Sequence, residues 1–374
     1  MNTPSFLFIY GPLNGGGAER VLIDILRNFD YLRYQVDLCL MMPGGVLEPE
    51  VPKEVFKFYL WDNYSLSYKL AYRLSNILGC DTWLRYVLRK KITKKYDVVI
   101  SFLEGMPLKL HAILAPQAIN VTWVHCDLLN FPYEKNQFRK GEEIQAYNKM
   151  DRIICVSKDA KQAFHQRFPD VISSVDVIYN PIDRDKILKM SLEYEVHNEF
   201  LTIVTLGRLT PQKKIDRILR LAHRMKMEGY TDIRFQIIGD GELRDELLAL
   251  CKKLEVEDIV EMIGFHKNPF PYVIAANMVL NCSGYEGFCL VICEAMVLGV
   301  PVISTTTCGP IEILKENNEY GLLIEHDDDS IYAAVKRMID DDELRLYYHQ
   351  KALERANRLG VEQTMESIYN LLSK

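Results

Sequence analysis

The run Ser283-Gly-Tyr-Glu286-Gly-Phe-Cys-Leu-Val-Ile-Cys-Glu294 sets two carboxylates on either side of a helix start. Glu286 falls in a glycine-flanked loop, and Glu294 is expected two turns inside the helix that follows. In that arrangement the loop acid reaches a sugar at the helix mouth, while the deeper one meets a ribose. The plain structural alternative is a solvated Glu286 and an internally paired Glu294, but a helix that only packed would have little use for a Gly-flanked acid at its mouth. Upstream, Gly207-Arg208-Leu-Thr-Pro-Gln-Lys213-Lys214 follows a strand and opens a helix, so Arg208 and Lys213 form an electropositive pocket suited to a diphosphate. Gly239-Asp240-Gly241-Glu242 and Gly264-Phe265 are turns after two further strands. Near the N-terminus, Gly11-Pro-Leu-Asn-Gly-Gly-Gly-Ala-Glu-Arg20 joins a strand to a helix, where consecutive glycines admit a ligand close to the backbone and the N–H groups at the helix opening favour an anion. A dinucleotide dehydrogenase competes here, because Gly15-x-Gly17 fits and Asp37 lies 20 residues beyond Gly17. Its third fingerprint position is Arg20, where a small residue is needed for tight packing.

Other reactive residue types are better read as structure. Asp183-Arg-Asp185, Asp327–Asp329 and Asp340–Asp342 imitate metal-binding acidic triplets, but the first follows a Pro hinge and the others fall at helix N-termini, where acids suit the dipole. No metal site is expected. The nine cysteines are scattered without a C-x-x-C pair and read as reduced core thiols of a cytoplasmic protein. His111, His165, His197, His223, His266, His326 and His349 have no ligand spacing. Tyr64, Tyr68 and Tyr72, four apart, share one helix face and read as core packing, with interface anchoring as the sharper alternative.

These residues need a scaffold of 374 residues, about right for two domains. Hydrophobic (48%) and charged (26%) contents are those of a globular protein, which removes disordered and fibrous classes. No apolar run reaches membrane-spanning length, and Phe6–Tyr10 reads as a first strand rather than a secretion signal. Residues 1–180 hold 22 Lys/Arg against 19 Asp/Glu, a net +3; residues 181–374 hold 23 against 32, a net −9. That asymmetry suggests two units with different partners, and the acidic total argues against nucleic acid. Strands are expected at Ser5–Gly11, Gln35–Met41, Asp97–Leu103, Asn120–His125, Arg152–Ser157 and Val175–Asn180. The second half repeats the scheme with Leu201–Gly207, Ile233–Gly239, Ile259–Gly264, Met278–Ser283, Pro301–Thr305 and Gly321–Glu325. Most lack period-two alternation, as strands buried on both faces of a parallel sheet do, and helices such as Lys213–Glu228 and Glu242–Leu254 lie between them. The pattern predicts two doubly wound α/β domains, 1–180 and 181–357, with the boundary at Asn180-Pro181, a mostly helical insertion near 53–96 and a last helix in 358–374.

Taken in order, these segments resemble the retaining GT-B glycosyltransferases of family four (glycosyl transferases group 1), nearly from end to end. The resemblance is carried by the Gly-rich loop ending in Ala18-Glu19-Arg20, Ser101-Phe-Leu-Glu104-Gly, Trp123-Val-His125-x-Asp127, Gly207-Arg208 with Lys213, Gly239-Asp-Gly-Glu242, the Glu286/Glu294 pair, and Gly299-x-Pro301-x-Ile-Ser304 leading to Gly309-Pro310-x-Glu312. Lys214 departs from it, since many relatives have Gly there. The Gly-Gly-Ala-Glu-Arg form of the loop is typical of bacterial enzymes that build cell-surface polysaccharides.

The resemblance implies two Rossmann-like domains facing across a cleft, with the acceptor on the first, the donor on the second, and the last helix crossing back to the first. It also implies that Arg208 and Lys213 neutralise the donor diphosphate, Glu294 bonds the ribose, Glu286 contacts donor-sugar hydroxyls and His125 sits near the reacting carbon. Gly16, Gly17, Gly207, Gly241, Gly287 and Phe288 complete the donor side, and Glu104 and Asp127 lie on the acceptor side. The implied activity is metal-independent transfer, without a cofactor, of a hexose or N-acetylhexosamine from a nucleoside diphosphate sugar, UDP preferred, to a lipid-linked saccharide. A nucleotide-sugar epimerase of the same fold and a non-catalytic nucleotide-sugar-binding partner are the alternatives. One further expectation comes from Arg85, Arg89, Lys90, Lys91, Lys94 and Lys95, which flank an apolar strip of Leu84, Val87, Leu88 and Ile92. A helix of that kind can lie on an anionic leaflet at the inner membrane face, or pack its strip on its own domain.

Overall fold

The computed structural model describes residues 3–63, 65–130 and 137–372. The chain divides into two compact units, Met1–Pro181 with Val361–Lys374, and Ile182–Gly360.

The first unit is a seven-stranded parallel sheet in the order β3-β2-β1-β4-β5-β6-β7. Its elements run β1 (Ser5–Tyr10), α1 (Gly17–Arg27), β2 (Gln35–Leu40), β3 (Phe56–Tyr59), α2 (Leu66–Arg73), α3 (Thr82–Lys91), β4 (Val98–Ser101), α4 (Met106–Leu114), β5 (Ile119–Val124), α5 (Glu142–Tyr147), β6 (Arg152–Cys155), α6 (Lys158–Arg167) and β7 (Ser174–Val177). All six residues of β1 are buried, which explains its unbroken apolar run: helices cover both faces of the sheet. The expected insertion is not mostly helical at its start. Phe56-Lys-Phe-Tyr59 pairs in parallel with β2 and forms the sheet edge. Only four residues long, with Phe56 exposed and a lysine in the middle, this strand offers too little periodicity to stand out in the sequence. After it, α2 and α3 flank a single π-helical stretch, Leu74–Leu78.

The second unit is a six-stranded parallel sheet, β10-β9-β8-β11-β12-β13. It comprises α7 (Arg184–Ser191), β8 (Leu201–Leu206), α8 (Ile215–Met227), β9 (Ile233–Ile238), α9 (Arg244–Lys253), β10 (Val260–Gly264), α10 (Phe270–Ala275), β11 (Met278–Asn281), α11 (Leu290–Val297), β12 (Val302–Thr305), α12 (Cys308–Leu314), β13 (Leu322–Ile324), α13 (Asp328–Asp340) and α14 (Asp342–Ala356). The amphipathic α8 buries Ile218, Leu219, Ala222 and Met225 on the sheet, in one core with Ile203, Phe235 and Val335. The final helix, α15 (Glu362–Tyr369), belongs to the first unit. Its Tyr369 ring stacks on Tyr34 at 4.6 Å and its hydroxyl accepts the Asp30 N–H at 2.9 Å. Both sheets are Rossmann-like, with the strand order reversing beside the first strand of each unit.

Candidate active site

In the second unit, the loops that leave β8, β9 and β11 are locked together through backbone. The Gly207 N–H donates to Ile238 O at 3.0 Å and the Leu209 N–H to Asp240 O at 3.0 Å. A Cβ on Gly239, whose φ is +148°, would lie 1.8 Å from the Gly207 carbonyl oxygen, and one on Gly241 would lie 2.5 Å from Leu209 O. Only glycine lets these turns close. The β8 loop is joined to the β11 loop by the Gly284 N–H on Gln212 O and by Gln212 Nε2 on Tyr285 O, both 2.8 Å. Beneath the second loop, Ser283 Oγ donates to Asn281 Oδ1 at 2.7 Å, Asn281 Nδ2 to Ser304 Oγ at 2.9 Å and Thr305 Oγ1 to Ser283 O at 2.7 Å, all buried. This network fixes the turn that carries Glu286. Sequence reading missed it, although polar residues at the ends of two buried strands are its trace.

Between the two loops, Lys213 Nζ donates to Glu286 Oε1 at 2.5 Å, with side-chain exposures of 17% and 10%. Burial opposes the charge on Lys213, but the Glu286 carboxylate outweighs it and holds the ammonium above its ordinary pKa. Arg208 is exposed, one residue after Gly207. The residues beside this pair adopt left-handed backbone: Lys214 (φ +51°), the N-cap of α8, and Cys289 (φ +67°), the N-cap of α11. The helix expected from Lys213 therefore begins at Ile215, and the departure at Lys214 falls where glycine has no steric penalty. Glu294 is the fifth residue of α11, so it lies little more than one turn inside rather than two, because α11 starts only at Leu290. Gly287 lies in the loop before it, and Phe288 is buried. α12 approaches the Phe288 backbone so closely that a Cβ on Gly309 would meet Phe288 O at 2.2 Å.

The acidic triplets are occupied by structural duties. Asp183, Asp327 and Asp341 cap α7, α13 and α14, while Asp328 and Asp329 pair with Arg220 and Arg224. Among the described residues no three His, Cys, Asp or Glu side chains converge as metal ligands. All nine cysteines are free thiols.

In the first unit, Gly16 caps α1 and Gly17 begins it, with the Glu19 carboxylate folded back so closely that a Cβ on Gly16 would lie 2.3 Å away. Asp37 is not at the end of β2, where a dinucleotide ribose would need it. It sits third in the strand, 3% exposed, accepting from Lys94 Nζ at 3.0 Å and Tyr96 Oη at 2.7 Å, which removes the dehydrogenase reading. His125 follows β5. Burial pushes its pKa down to about 3, so the imidazole is neutral; its ring lies 4.6 Å from that of Phe102 and its buried Nε2 has no hydrogen-bond partner among the described residues. Glu104 and Asp127, expected on the acceptor side, both lie in the first unit, where Glu104 bonds the loop after β5 and Asp127 its own loop. Glu104 accepts from the His125 N–H at 3.0 Å and Cys126 Sγ at 2.8 Å, and Asp127 from the Leu129 and Asn130 N–H groups at 3.0 and 3.3 Å. Nearby Glu143 is pushed up to about 7 by burial, and neither its Oε1 nor Tyr147 Oη has a partner among the described residues. His111, at 0% exposure between Ser101 and Asn120, is a core residue.

A cavity of about 400 Å³ opens beside α2, lined by Tyr68, Lys69, Tyr72, Arg73, Met106 and Gln137. The rings of Tyr68 and Tyr72 stack at 6.1 Å, and Gln137 Oε1 is buried without a partner. Tyr64 lies outside the described residues. The apolar strip of α3 does not face outward: Leu84 and Leu88 are fully buried, and Val87 and Ile92 pack on the same core. The exposed face of this region carries Leu66, Leu70, Ile77, Leu78, Trp83 and Tyr86 together with Arg85, Arg89, Lys90 and Lys91, while Lys94 is tied to Asp37.

Comparison with known proteins completes the picture. Residues 15–186 match the model of Glycosyltransferase Family 4, and residues 191–355 that of Glycosyl transferases group 1. The chain is 31% identical over 367 residues, 94% of each chain, to the Campylobacter jejuni N-acetylgalactosamine-N,N'-diacetylbacillosaminyl-diphospho-undecaprenol 4-alpha-N-acetylgalactosaminyltransferase. It is 27% identical to the amylovoran biosynthesis glycosyltransferase AmsD of Erwinia amylovora, covering 98% of this chain and 99% of that one. In fold it matches Anabaena HepE, solved with UDP and glucose, at a TM-score of 0.77 with 21% identity and 99% of each chain covered. Two Rossmann-like sheets, the paired glutamates of α11 and its preceding loop, and these matches lead to one conclusion: the chain belongs to the family 4 glycosyltransferases, with the GT-B fold.

Proposed function

We propose that this protein is a retaining, metal-independent glycosyltransferase that moves a hexose or N-acetylhexosamine from a nucleoside diphosphate sugar, preferably a UDP-sugar, to a lipid-linked saccharide in surface polysaccharide synthesis. The observation that carries this is the Lys213–Glu286 pair at the glycine-locked mouth of the second sheet, beside the exposed Arg208. Breaking a sugar–diphosphate bond builds negative charge on the leaving group, and fixed cations stabilise it as it develops. Arg208 and Lys213 serve that need; the paired Glu286 keeps Lys213 charged and turns its carboxylate to the sugar hydroxyls, and Glu294 takes the ribose. Gly16 and Gly17 are assigned to the donor, and neutral His125, whose Nε2 has no hydrogen-bond partner among the described residues, is assigned to the sugar at the reacting carbon. Retention is supported by chemistry: UDP-hexosamine donors carry an axial, α-linked diphosphate, and the Campylobacter relative is named for an alpha linkage. Its diphospho-undecaprenol acceptor supports a lipid-linked saccharide here.

The cavity beside α2 suits the acceptor, with Tyr68 and Tyr72 against sugar faces and Lys69 and Arg73 near its phosphates. Among the described residues no helix is long and apolar enough to cross a membrane. Peripheral attachment to the inner face of the plasma membrane falls instead to the exposed Leu66, Leu70, Trp83 and Tyr86 with Arg85, Arg89, Lys90 and Lys91, each basic group adding about 1 kcal/mol near an anionic leaflet. Nucleotide release across UDP-, GDP- and ADP-sugars, with lipid-linked acceptor and with or without EDTA, tests the function. The expected result is acceptor-dependent release from a UDP-sugar that survives chelation. Release without acceptor labelling, or dependence on added Mg²⁺, overturns the reading.

A further inference from the structure

The loops after β4 and β5, adjacent strands paired Ser101 to Thr122, are bridged by the Glu104 side chain. Glu104, 8% exposed, spends one oxygen on the His125 N–H (3.0 Å) and the other on Cys126 Sγ (2.8 Å), two consecutive residues of the neighbouring loop. A carboxylate this buried, with both oxygens engaged, presents little to a substrate. What it controls is the peptide from which the His125 ring departs. The Phe102 ring lies against that ring, and the His125 Nε2 is buried with no partner among the described residues. A buried ring nitrogen without a partner is costly unless a ligand completes it. Phe102 and Glu104 come from one loop, so the same segment sets both the face of the imidazole and the height of its backbone.

We propose that Glu104 is a positioning residue for His125, clamping the His125 backbone N–H and the Cys126 thiol so that Nε2 is aimed before substrate arrives. The inference rests on the reading that His125 serves the reacting centre. Charge-assisted bonds from buried N–H and S–H groups hold geometry more firmly than neutral ones, and misplacement by about 1 Å can cost about a hundredfold in rate.

The test combines transfer kinetics with the amide resonance of His125 in the whole protein, labelled with nitrogen-enriched histidine, for Glu104→Gln, Glu104→Ala, Cys126→Ser, Cys126→Ala and His125→Ala. The Glu104 carboxylate pulls the His125 amide proton downfield; Glu104→Gln moves it partly back and Glu104→Ala, if it folds, moves it fully. Glu104→Gln keeps one neutral acceptor and lowers kcat about fivefold, whereas Glu104→Ala lowers it about ten- to a hundredfold, with Kd for UDP unchanged in both. Cys126→Ser preserves the second bond and the rate, and Cys126→Ala falls between. An unmoved amide in Glu104→Gln overturns the clamp, and so does a moved amide with wild-type kcat. A kcat loss matched by weaker UDP binding assigns Glu104 to general stability and also overturns it. Full activity in His125→Ala would sink the reading of His125 itself, which the amide shift, independent of turnover, distinguishes from failure of the clamp.

Discussion

The two units use carboxylates differently around their candidate functional residues. In the second, Glu286 lies against Lys213, and the aspartates at the surface cap helices or meet Arg220 and Arg224. In the first, Asp37 is paired with Lys94, but beside His125 the buried Glu104 and the half-buried Glu143 have no lysine or arginine in hydrogen-bonding contact among the described residues, and burial drives both pKa values up. The second unit, although acidic overall, concentrates paired charge at one mouth, the arrangement required to meet a charged leaving group. The first suppresses charge around a neutral imidazole and uses carboxylates to hold loops. The division suggests that charge stabilisation belongs to the second unit and placement to the first.

The largest effect that can break this contrast is at the cations. Lys213→Ala and Arg208→Ala are each expected to lower kcat by roughly two to three orders of magnitude, as removal of one preorganised stabiliser does elsewhere. Steady-state transfer assays on folded variants check it, and near-wild-type turnover in either would move charge stabilisation away from the β8 loop.

A smaller effect sharpens the first unit's side. Glu143 has its pKa raised to about 7, so the folded state binds more protons than the unfolded state between its ordinary value and that point. Stability therefore falls as pH rises through this window and levels off above it, at a cost of up to about 3 kcal/mol. Glu143→Gln should remove that slope, gaining about 1–2 kcal/mol over the wild type at pH 8 and little at pH 5. Denaturant melts at the two pH values decide; an equal offset at both would mean that the buried carboxyl is not what titrates.

The smallest effect concerns backbone. Lys214→Gly relieves a left-handed residue worth roughly 1 kcal/mol and gives part of it back as unfolded-state entropy, so a net gain of about 0.5 kcal/mol is expected with turnover unchanged. A loss of stability would show that the Lys214 side chain contributes more than its conformation costs.

These differences also explain what could be read from the sequence. The second unit's site is built from close backbone approach: a Cβ would collide at Gly239, Gly241 and Gly309, and Gly207 has a φ of +149° that L side chains rarely adopt. Such constraints leave a linear motif. Buried parallel strands are equally legible, since β1 or β12 has no solvent face to impose alternation. What could not be read depends on partners far apart in sequence. Nothing near Glu104 in the sequence shows that β5 brings the His125 N–H to it, and nothing local marks Tyr147 as buried. The strip on α3 has the same periodicity whether it faces lipid or core, and only the packing of Leu84 and Leu88 decides. Edge strand β3 has too few residues to declare a period. Glu294 was placed a turn too deep because Cys289, in left-handed backbone, delays the start of α11.

The most direct test of the account is a comparison of UDP affinity and turnover in Glu294→Ala and Glu286→Ala, by titration calorimetry and transfer assay on the same preparations. A ribose contact is made equally in ground and transition states, so Glu294→Ala should lose UDP affinity, by about tenfold or more for a hydrogen bond to a charged group, with a lesser effect on kcat at saturation. Contacts to sugar hydroxyls tighten as positive charge develops at the reacting carbon, so Glu286→Ala should bind UDP like the wild type and lose kcat. Loss of UDP binding in Glu286→Ala with wild-type affinity in Glu294→Ala would contradict the account by reversing the roles given to the two glutamates.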